Sequence, residues 1–264
     1  EIHMTPVKET ALRHGIPVYQ PARAREASFV EEMRALEPDV MVVIAFGQIL
    51  SRELLDVPRY GCVNIHASLL PKYRGAAPIQ WAVINGDRET GITTMMMDTE
   101  MDTGDMLEKK VIALDERETG GSLFDRLSLL GGELILSTLD KLEAGTLVPE
   151  KQDHEKATYV KKISKSMGDI DWTMDAAAIE RLIRGLNPWP SAYTRLNGRM
   201  LKIWQAEVLE GSREGAVPGQ ILEADGSTLT VQTGAGDSEV EIANRIASQI
   251  IRENPHHIYT IELC

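Results

Sequence analysis

Asn64-Ile65-His66-Ala67-Ser68-Leu69-Leu70-Pro71-Lys72-Tyr73-Arg74-Gly75 sets two polar side chains two residues apart, at the end of a short apolar run through Cys62 and Val63. Residues i and i+2 of a strand share a face. Asn64 and His66 therefore converge where the strand gives way to a loop holding Pro71 and Gly75. Open parallel sheets bind their ligands at that end of their strands. Asn64 can donate an uncharged hydrogen bond to a developing oxyanion, and His66 can donate, accept or carry charge near neutral pH. Taken alone, the pair also admits a plainer reading as a turn former beside a hydrogen-bonded core histidine.

On either side of this stretch, helical and strand signals alternate. Thr5 to His14 reads as a helix closed by Gly15, with a short strand at Ile16 to Tyr19. Ser28 is placed to cap a helix running to about Leu36, with Glu31 completing a capping box. Val40 to Phe46 is uninterrupted and apolar, the pattern of a strand buried on both faces, and Gly47 breaks it. A helix, a strand over Gly61 to His66, a helix over Ala76 to Asn85 and a strand near Ile92 to Met97 follow. Leu123, Leu127, Leu130, Leu134 and Leu142 mark a long amphipathic helix over Ser122 to Leu142. This alternation predicts an α/β fold with a doubly wound, mainly parallel sheet.

The pattern changes after Pro149. Lys151 to Lys165 is polar and reads as a linker with little core; Ile179, Leu182, Ile183 and Leu186 then form one helical stripe. Asn197-Gly198 separates two β-like runs, the strongest short-range hairpin signal, and Asp225-Gly226 separates two more. Short strands with tight turns predict a small antiparallel β-barrel or sandwich. The expected division is a first domain over 1–148, a linker over 149–165, a β domain over 166–236 and a tail over 237–264. In that tail Val240, Ala243, Ile246, Ala247, Ile250 and Ile251 would share one face of a helix.

Composition narrows the class. Hydrophobic residues at 43% and charged residues at 26% are those of a soluble globular protein. No apolar run approaches the roughly 20 residues that span a bilayer. Cys62 and Cys264 are too few and too far apart in sequence to suggest a disulfide framework or a metal site, so the expected setting is a reduced cytoplasm. The net charge of −12 argues against nucleic acid as a partner, but its distribution does not. Residues 161–202 carry eight bases against four acids, which leaves −16 elsewhere. A basic region in an acidic chain reads as a footprint for phosphates or as an ordinary mixed surface.

The text from Asn64 to Asp87, NIHASLLPKYRGAAPIQWAVINGD, decides between these readings together with Glu89-Thr90-Gly91-Ile92-Thr93-Thr94-Met95 and Met101-Asp102-Thr103-Gly104-Asp105. It resembles the folate-dependent formyltransferases, and within them those that formylate methionyl-tRNA, from about Thr5 to about Gly234. The resemblance implies a Rossmann-like formyltransferase domain followed by an OB-like β-barrel. It also implies 10-formyltetrahydrofolate as co-substrate, initiator methionyl-tRNA as partner, no metal, and a cytoplasmic monomer. The family pattern opens with a Gly-Thr-Pro strand ahead of the equivalent of Thr5, so the chain reads as entering late, without the first strand. Residues after about Gly236 read as unrelated to the family.

Formyl transfer needs a hydrogen-bond donor at the oxyanion, a proton shuttle and a group that sets the shuttle's charge and orientation. Asn64 and His66 suit the first two tasks. Asp98, Asp102 and Asp105 share one loop, and spacing leaves all three open for the third; the resemblance selects Asp102. It likewise assigns folate to Ser68, Leu69, Leu70 and Pro71, with Phe46, Gly47 and Leu50 as a second wall, although the leucines would equally serve a core. Lys161, Lys162 and Lys165 are expected on tRNA phosphates. Arg74 reads as a structural clamp or a substrate-side cation. The alternatives are a formyltransferase acting on an amino sugar or glycinamide ribonucleotide, and a non-catalytic folate- or RNA-binding fragment. A dinucleotide dehydrogenase is disfavoured, since no GxGxxG follows a strand.

Overall fold

The structure is a computed structural model, and it describes residues 4–211, 213–225, 228–234 and, for the backbone, 238–243. Helix α1 (Pro6–Arg13) opens where the Thr5 hydroxyl accepts from the Lys8 amide. Helix α2 (Ala27–Ala35) starts two residues earlier than expected. Ser28 lies inside it and Glu26 precedes it without a side-chain cap bond, so the Ser28–Glu31 capping box is not used. Ile16–Tyr19 forms no strand, because it has no ladder partner among the described residues.

Strand β1 (Met41–Val43) runs parallel to β2 (Cys62–His66) through the short helix α3 (Arg52–Leu55). The expected strand to Phe46 stops at Val43, because the chain turns through Ala45 at φ 43° and Gly47 at φ 73°. Among the described residues β1 is an edge strand, and Val42, Ile44 and Phe46 are exposed where burial on both faces was expected.

The chain continues through a two-residue strand β3 (Arg74–Gly75), helix α4 (Pro78–Ile84), strands β4 (Glu89–Met96) and β5 (Met106–Ala113), and helix α5 (Gly120–Glu143). The main sheet has the order β1-β2-β4-β5, in which β4 is antiparallel to β2 and β5 to β4. Its parallel winding lies in β1–α3–β2. Strand β5 carried no clear signal in the sequence, because Glu108, Lys109 and Lys110 interrupt its apolar residues, as suits an edge. Thr119 and Ser122 close a reciprocal cap at the start of α5. Leu123, Leu127 and Leu134 of α5 then pack with Ile65 and Ile92, while Ile135 packs with Val63. With Val63 and Ile65 turned toward α5, strand alternation turns Asn64 and His66 to the opposite face.

Residues 149–165 are not a free linker. Glu150 and Met106 exchange two backbone bonds of 2.8 Å, and strand β6 (Tyr159–Val160) lies parallel to β3. The Lys161 carbonyl accepts from the Trp81 indole, and Gln152 and Ile163 are buried. The segment lacks an apolar pattern because it docks mainly through hydrogen bonds.

The second domain begins with helix α6 (Ala176–Gly185), capped by Asp175. Strands β7 (Ala192–Leu196) and β8 (Arg199–Ile203) meet at Asn197 and Gly198, both at positive φ, the hairpin turn their sequence demands. Strands β9 (Ala206–Glu210), β10 (Ile221–Ala224), β11 (Thr228–Gln232) and β12 (Ser238–Ala243) form an antiparallel sheet of order β10-β11-β12-β9. Ile179 and Ile183 of α6 share a core with Ala192, Ile203, Ala206 and Val231 from both ladders. The helix expected from Glu239 is a strand as far as Ala243. Val240 and Ile242 alternate with Glu239 and Glu241, a period of two that was read as part of a helical stripe. The expected boundary at 236 thus falls inside the sheet, and the remainder of the tail lies outside the described residues. Helix α6 also packs on α4, where a Cβ at Gly185 would sit 2.4 Å from Ile84 Cγ1.

Candidate active site

Asn64 stands at the end of β2, opposite Val43 on one side and Met95 on the other. It is half-buried, and its side-chain amide makes no hydrogen bond among the described residues. His66 is only 6% exposed, with Nε2 2.9 Å from the Tyr73 carbonyl. A carbonyl oxygen can only accept, so Nε2 carries a proton. Nδ1 lies 3.8 Å from Asp102 Oδ1, beyond hydrogen-bond range but close enough to feel its charge. Nδ1 is therefore the nitrogen that faces the carboxylate.

Asp102 occupies the loop between β4 and β5 at φ 56°, a left-handed conformation that costs a non-glycine residue energy and persists only where surroundings enforce it. Its Oδ2 accepts from the Gly75 amide at 2.7 Å, and its carbonyl accepts from Gln152 Nε2 at 2.8 Å. The same Nε2 donates to the Gly104 carbonyl at 2.8 Å. Gly104 is indispensable to this loop, since a Cβ there would lie 1.8 Å from the Met96 carbonyl oxygen. Asp98 instead holds the turn, accepting from the Glu100 amide and the Thr103 hydroxyl. Of the three aspartates in the loop, Asp102 is the one paired with His66.

The loop after His66 is pinned to β4: the Thr93 hydroxyl donates to the Ser68 carbonyl at 2.7 Å and accepts from the Leu70 amide at 3.2 Å. The side chains expected at folate divide between interior and surface. Ser68 is buried, with its hydroxyl committed to the Lys72 carbonyl at 2.6 Å. Leu70 is 1% exposed and packs on Met95 and Met106, while Leu50 packs on Ala24, Val30 and Leu54. Leu70 fills the interior and Leu50 is half-buried against a core cluster, where removing apolar surface from water is favourable. Leu69 and Pro71 are half-buried, and Phe46 and Gly47 are exposed. Because Val43 is in register with Asn64, Phe46 and Gly47 leave β1 beside the outlet of β2.

Arg74 is wholly buried. Its Nε and Nη2 donate to Gln152 Oε1 at 3.0 and 2.8 Å, and Nη1 reaches the Tyr159 hydroxyl at 3.0 Å and His154 Nδ1 at 3.3 Å. It is a clamp on the 150–160 segment. Lys161, Lys162 and Lys165 are exposed and form no ion pair among the described residues. Val160 is in register with Gly75, so Lys161 follows directly on the strand that abuts the Gly75–Asp102 bond. Burial, with Asp56 nearby, pushes the Cys62 thiol up to about 11, which removes it as a nucleophile. Gln152, the Gly75 amide and Thr93 were missed in the sequence. None belongs to a periodic pattern, and a lone Gln in a polar segment carries no local signal.

A carboxylate, a histidine and a carboxamide without a hydrogen-bond partner among the described residues thus lie at the outlet of β2. Residues 2–139 match the formyl transferase family and residues 162–252 match the formyl transferase C-terminal domain; the chain belongs to the formyltransferase family. The second match also carries the family beyond the expected limit near Gly236. The chain is 57% identical over 232 residues to the methionyl-tRNA formyltransferase of Agathobacter rectalis, covering 88% of this chain and 74% of that protein. It is 55% identical over 236 residues to that of Lachnospira eligens, covering 88% and 75%.

Among solved structures, the N-formyltransferase from Helicobacter canadensis, in complex with folinic acid and dTDP-3-aminofucose, superposes with a TM-score of 0.69 at 18% identity. That match covers 89% of this chain and 82% of that one. HypX from Aquifex aeolicus in complex with tetrahydrofolic acid gives 0.64 at 18% identity, covering 89% and 42%. These two share the fold.

Proposed function

We propose that this chain transfers the formyl group of 10-formyltetrahydrofolate to the amino group of methionyl-initiator tRNA, for the start of translation. One observation carries the reading: Asn64, His66 and Asp102 meet at the outlet of β2 in a chain more than half identical to two methionyl-tRNA formyltransferases. The substrate amine attacks the formyl carbon and a tetrahedral oxyanion forms. The bond from that carbon to the folate N10 then breaks, with the amine's proton ending on N10. The unpartnered Asn64 amide donates to the oxyanion. Protonated His66 Nδ1 is the second donor, and Asp102 stabilises its charge and accepts the amine's proton through water. Folate contacts fall to Leu69, Pro71 and the Phe46–Gly47 turn, with backbone groups of residues 68–71 reading its polar edge. Lys161, Lys162 and Lys165 meet tRNA phosphates.

The test is formylation by the purified chain of methionyl-tRNA, of an amino-sugar nucleotide and of glycinamide ribonucleotide, each with 10-formyltetrahydrofolate. Formyl-methionyl-tRNA as the sole product supports the reading. Turnover of either other amine without formyl-methionyl-tRNA overturns it.

A further inference from the structure

We infer that Gln152, in the segment between the two domains, is a positioning residue for catalysis. It holds Asp102 in its left-handed conformation and so makes this segment part of the active site. This inference rests on the role assigned to Asp102. Gln152 is 5% exposed, and both ends of its amide are engaged. The oxygen accepts twice from Arg74. That fixes which end is oxygen and turns the NH2 toward the loop, where it donates to the carbonyls of Asp102 and Gly104, both at 2.8 Å.

Those two carbonyls flank the Thr103 turn of the loop between β4 and β5. Asp102 sits there at φ 56°, and Gly104 presses on Met96. One side-chain amide thus satisfies two acceptors, one buried and one part-buried, and bridges the turn that aims Asp102 at His66. Arg74 sets the amide's orientation and is itself anchored by Tyr159 and His154 of the same segment. Gly75, next to Arg74, donates to the Asp102 carboxylate. The backbone of Asp102 is therefore held by the docked 150–160 segment, and its side chain by β3, the strand on which that segment docks.

Gln152→Glu separates this role from mere packing. The carboxylate keeps an acceptor, now charged, for Arg74. It replaces the NH2 donor with a second acceptor facing two carbonyls, so only the loop side is broken. The expected result is a kcat reduced about tenfold or more, with KM for both substrates changed less than about threefold and folate binding retained. Combined with Asp102→Asn, Gln152→Glu should add little further loss, because a residue acting through Asp102 has nothing left to position.

Should Gln152→Glu fail to fold, Gln152→Asn carries the same cycle, since its shorter amide bonds to Arg74 but cannot also reach both carbonyls. Parental kcat in the folded variant, or losses that multiply in the double variant, would overturn the inference. Failure of both variants to fold would do so too, by making Gln152 a stability residue. If Asp102→Asn alone leaves kcat intact, the catalytic assignment fails instead.

Discussion

His66 Nε2 lies 2.9 Å from the carbonyl oxygen of Tyr73, seven residues further along the chain. The bond fixes the imidazole edge-on in a buried position and settles which nitrogen keeps its proton. The other nitrogen turns to Asp102, and the Asn64 amide stands two residues back on the same strand face. The site is thus held by backbone groups of the loop that closes over it.

Replacing Asn64 or His66 with Ala should lower kcat by about 10²–10³, the usual cost of removing one oxyanion donor. Equilibrium binding of folate should persist, because neither residue anchors the 68–71 loop, which hangs from Thr93. Single-turnover formylation alongside a folate titration checks both halves. A rate within a few-fold of the parent in either variant sinks the role given to that residue.

Asp102→Asn keeps an oxygen for the Gly75 amide and removes the charge 3.8 Å from His66. Its kcat should fall by at least about tenfold with little change in thermal midpoint. Asp98→Asn should be nearly silent, because an amide oxygen can still accept from Glu100 and Thr103. Comparing kcat across Asp98→Asn, Asp102→Asn and Asp105→Asn decides the matter. A larger loss at 98 or 105 would mean that the wrong carboxylate has been assigned.

Changing Lys161, Lys162 and Lys165 together to Ala should weaken tRNA binding for all sequences alike. It should also flatten the slope of log K against log salt by about 0.7–0.9 for each phosphate no longer neutralised. Turnover at saturating tRNA should change much less than affinity, since these side chains are exposed and outside the His66–Asp102 pair. Filter binding at several salt concentrations reads the slope; an unchanged slope would reduce the lysines to solvated surface charges.

Cys62 supplies a prediction about pH. Its thiol is pushed up to about 11 by burial and by Asp56, so the folded state holds this proton more tightly than the unfolded chain. Its contribution to stability is complete below the unfolded thiol's pKa and is lost as pH rises toward 11. The alkaline fall in thermal midpoint should therefore be shallower in Cys62→Ala. In a Cys264→Ser background, a thiol reagent at pH 8 should react slowly with the folded chain and quickly in urea. Equal rates in the two states would contradict the burial of Cys62.

The sequence by itself determined what local chemistry can encode. Thr5 starts a helix because its hydroxyl reaches the Lys8 amide, and Asn197-Gly198 turns a hairpin because both tolerate positive φ. The spacing of Asn64 and His66 put them on one strand face before any neighbour was known. Two local signals failed. Ser28 gave up its capping place to a helix beginning two residues earlier than expected, and β5 hid behind the charges of an edge strand.

Residue spacing left open which of three aspartates meets His66; the family resemblance pointed to Asp102, and the folded loop turns that carboxylate toward the histidine. Tertiary structure also placed the side chains of Ser68 and Leu70 in the interior and left Leu50 half-buried against a core cluster, since apolar sequence looks the same in a core and in a pocket. Gln152 and Arg74 found each other across 78 residues. A hydrogen bond between distant segments leaves no periodicity in either, so only the folded chain could show that a polar segment bonds to the loop of Asp102.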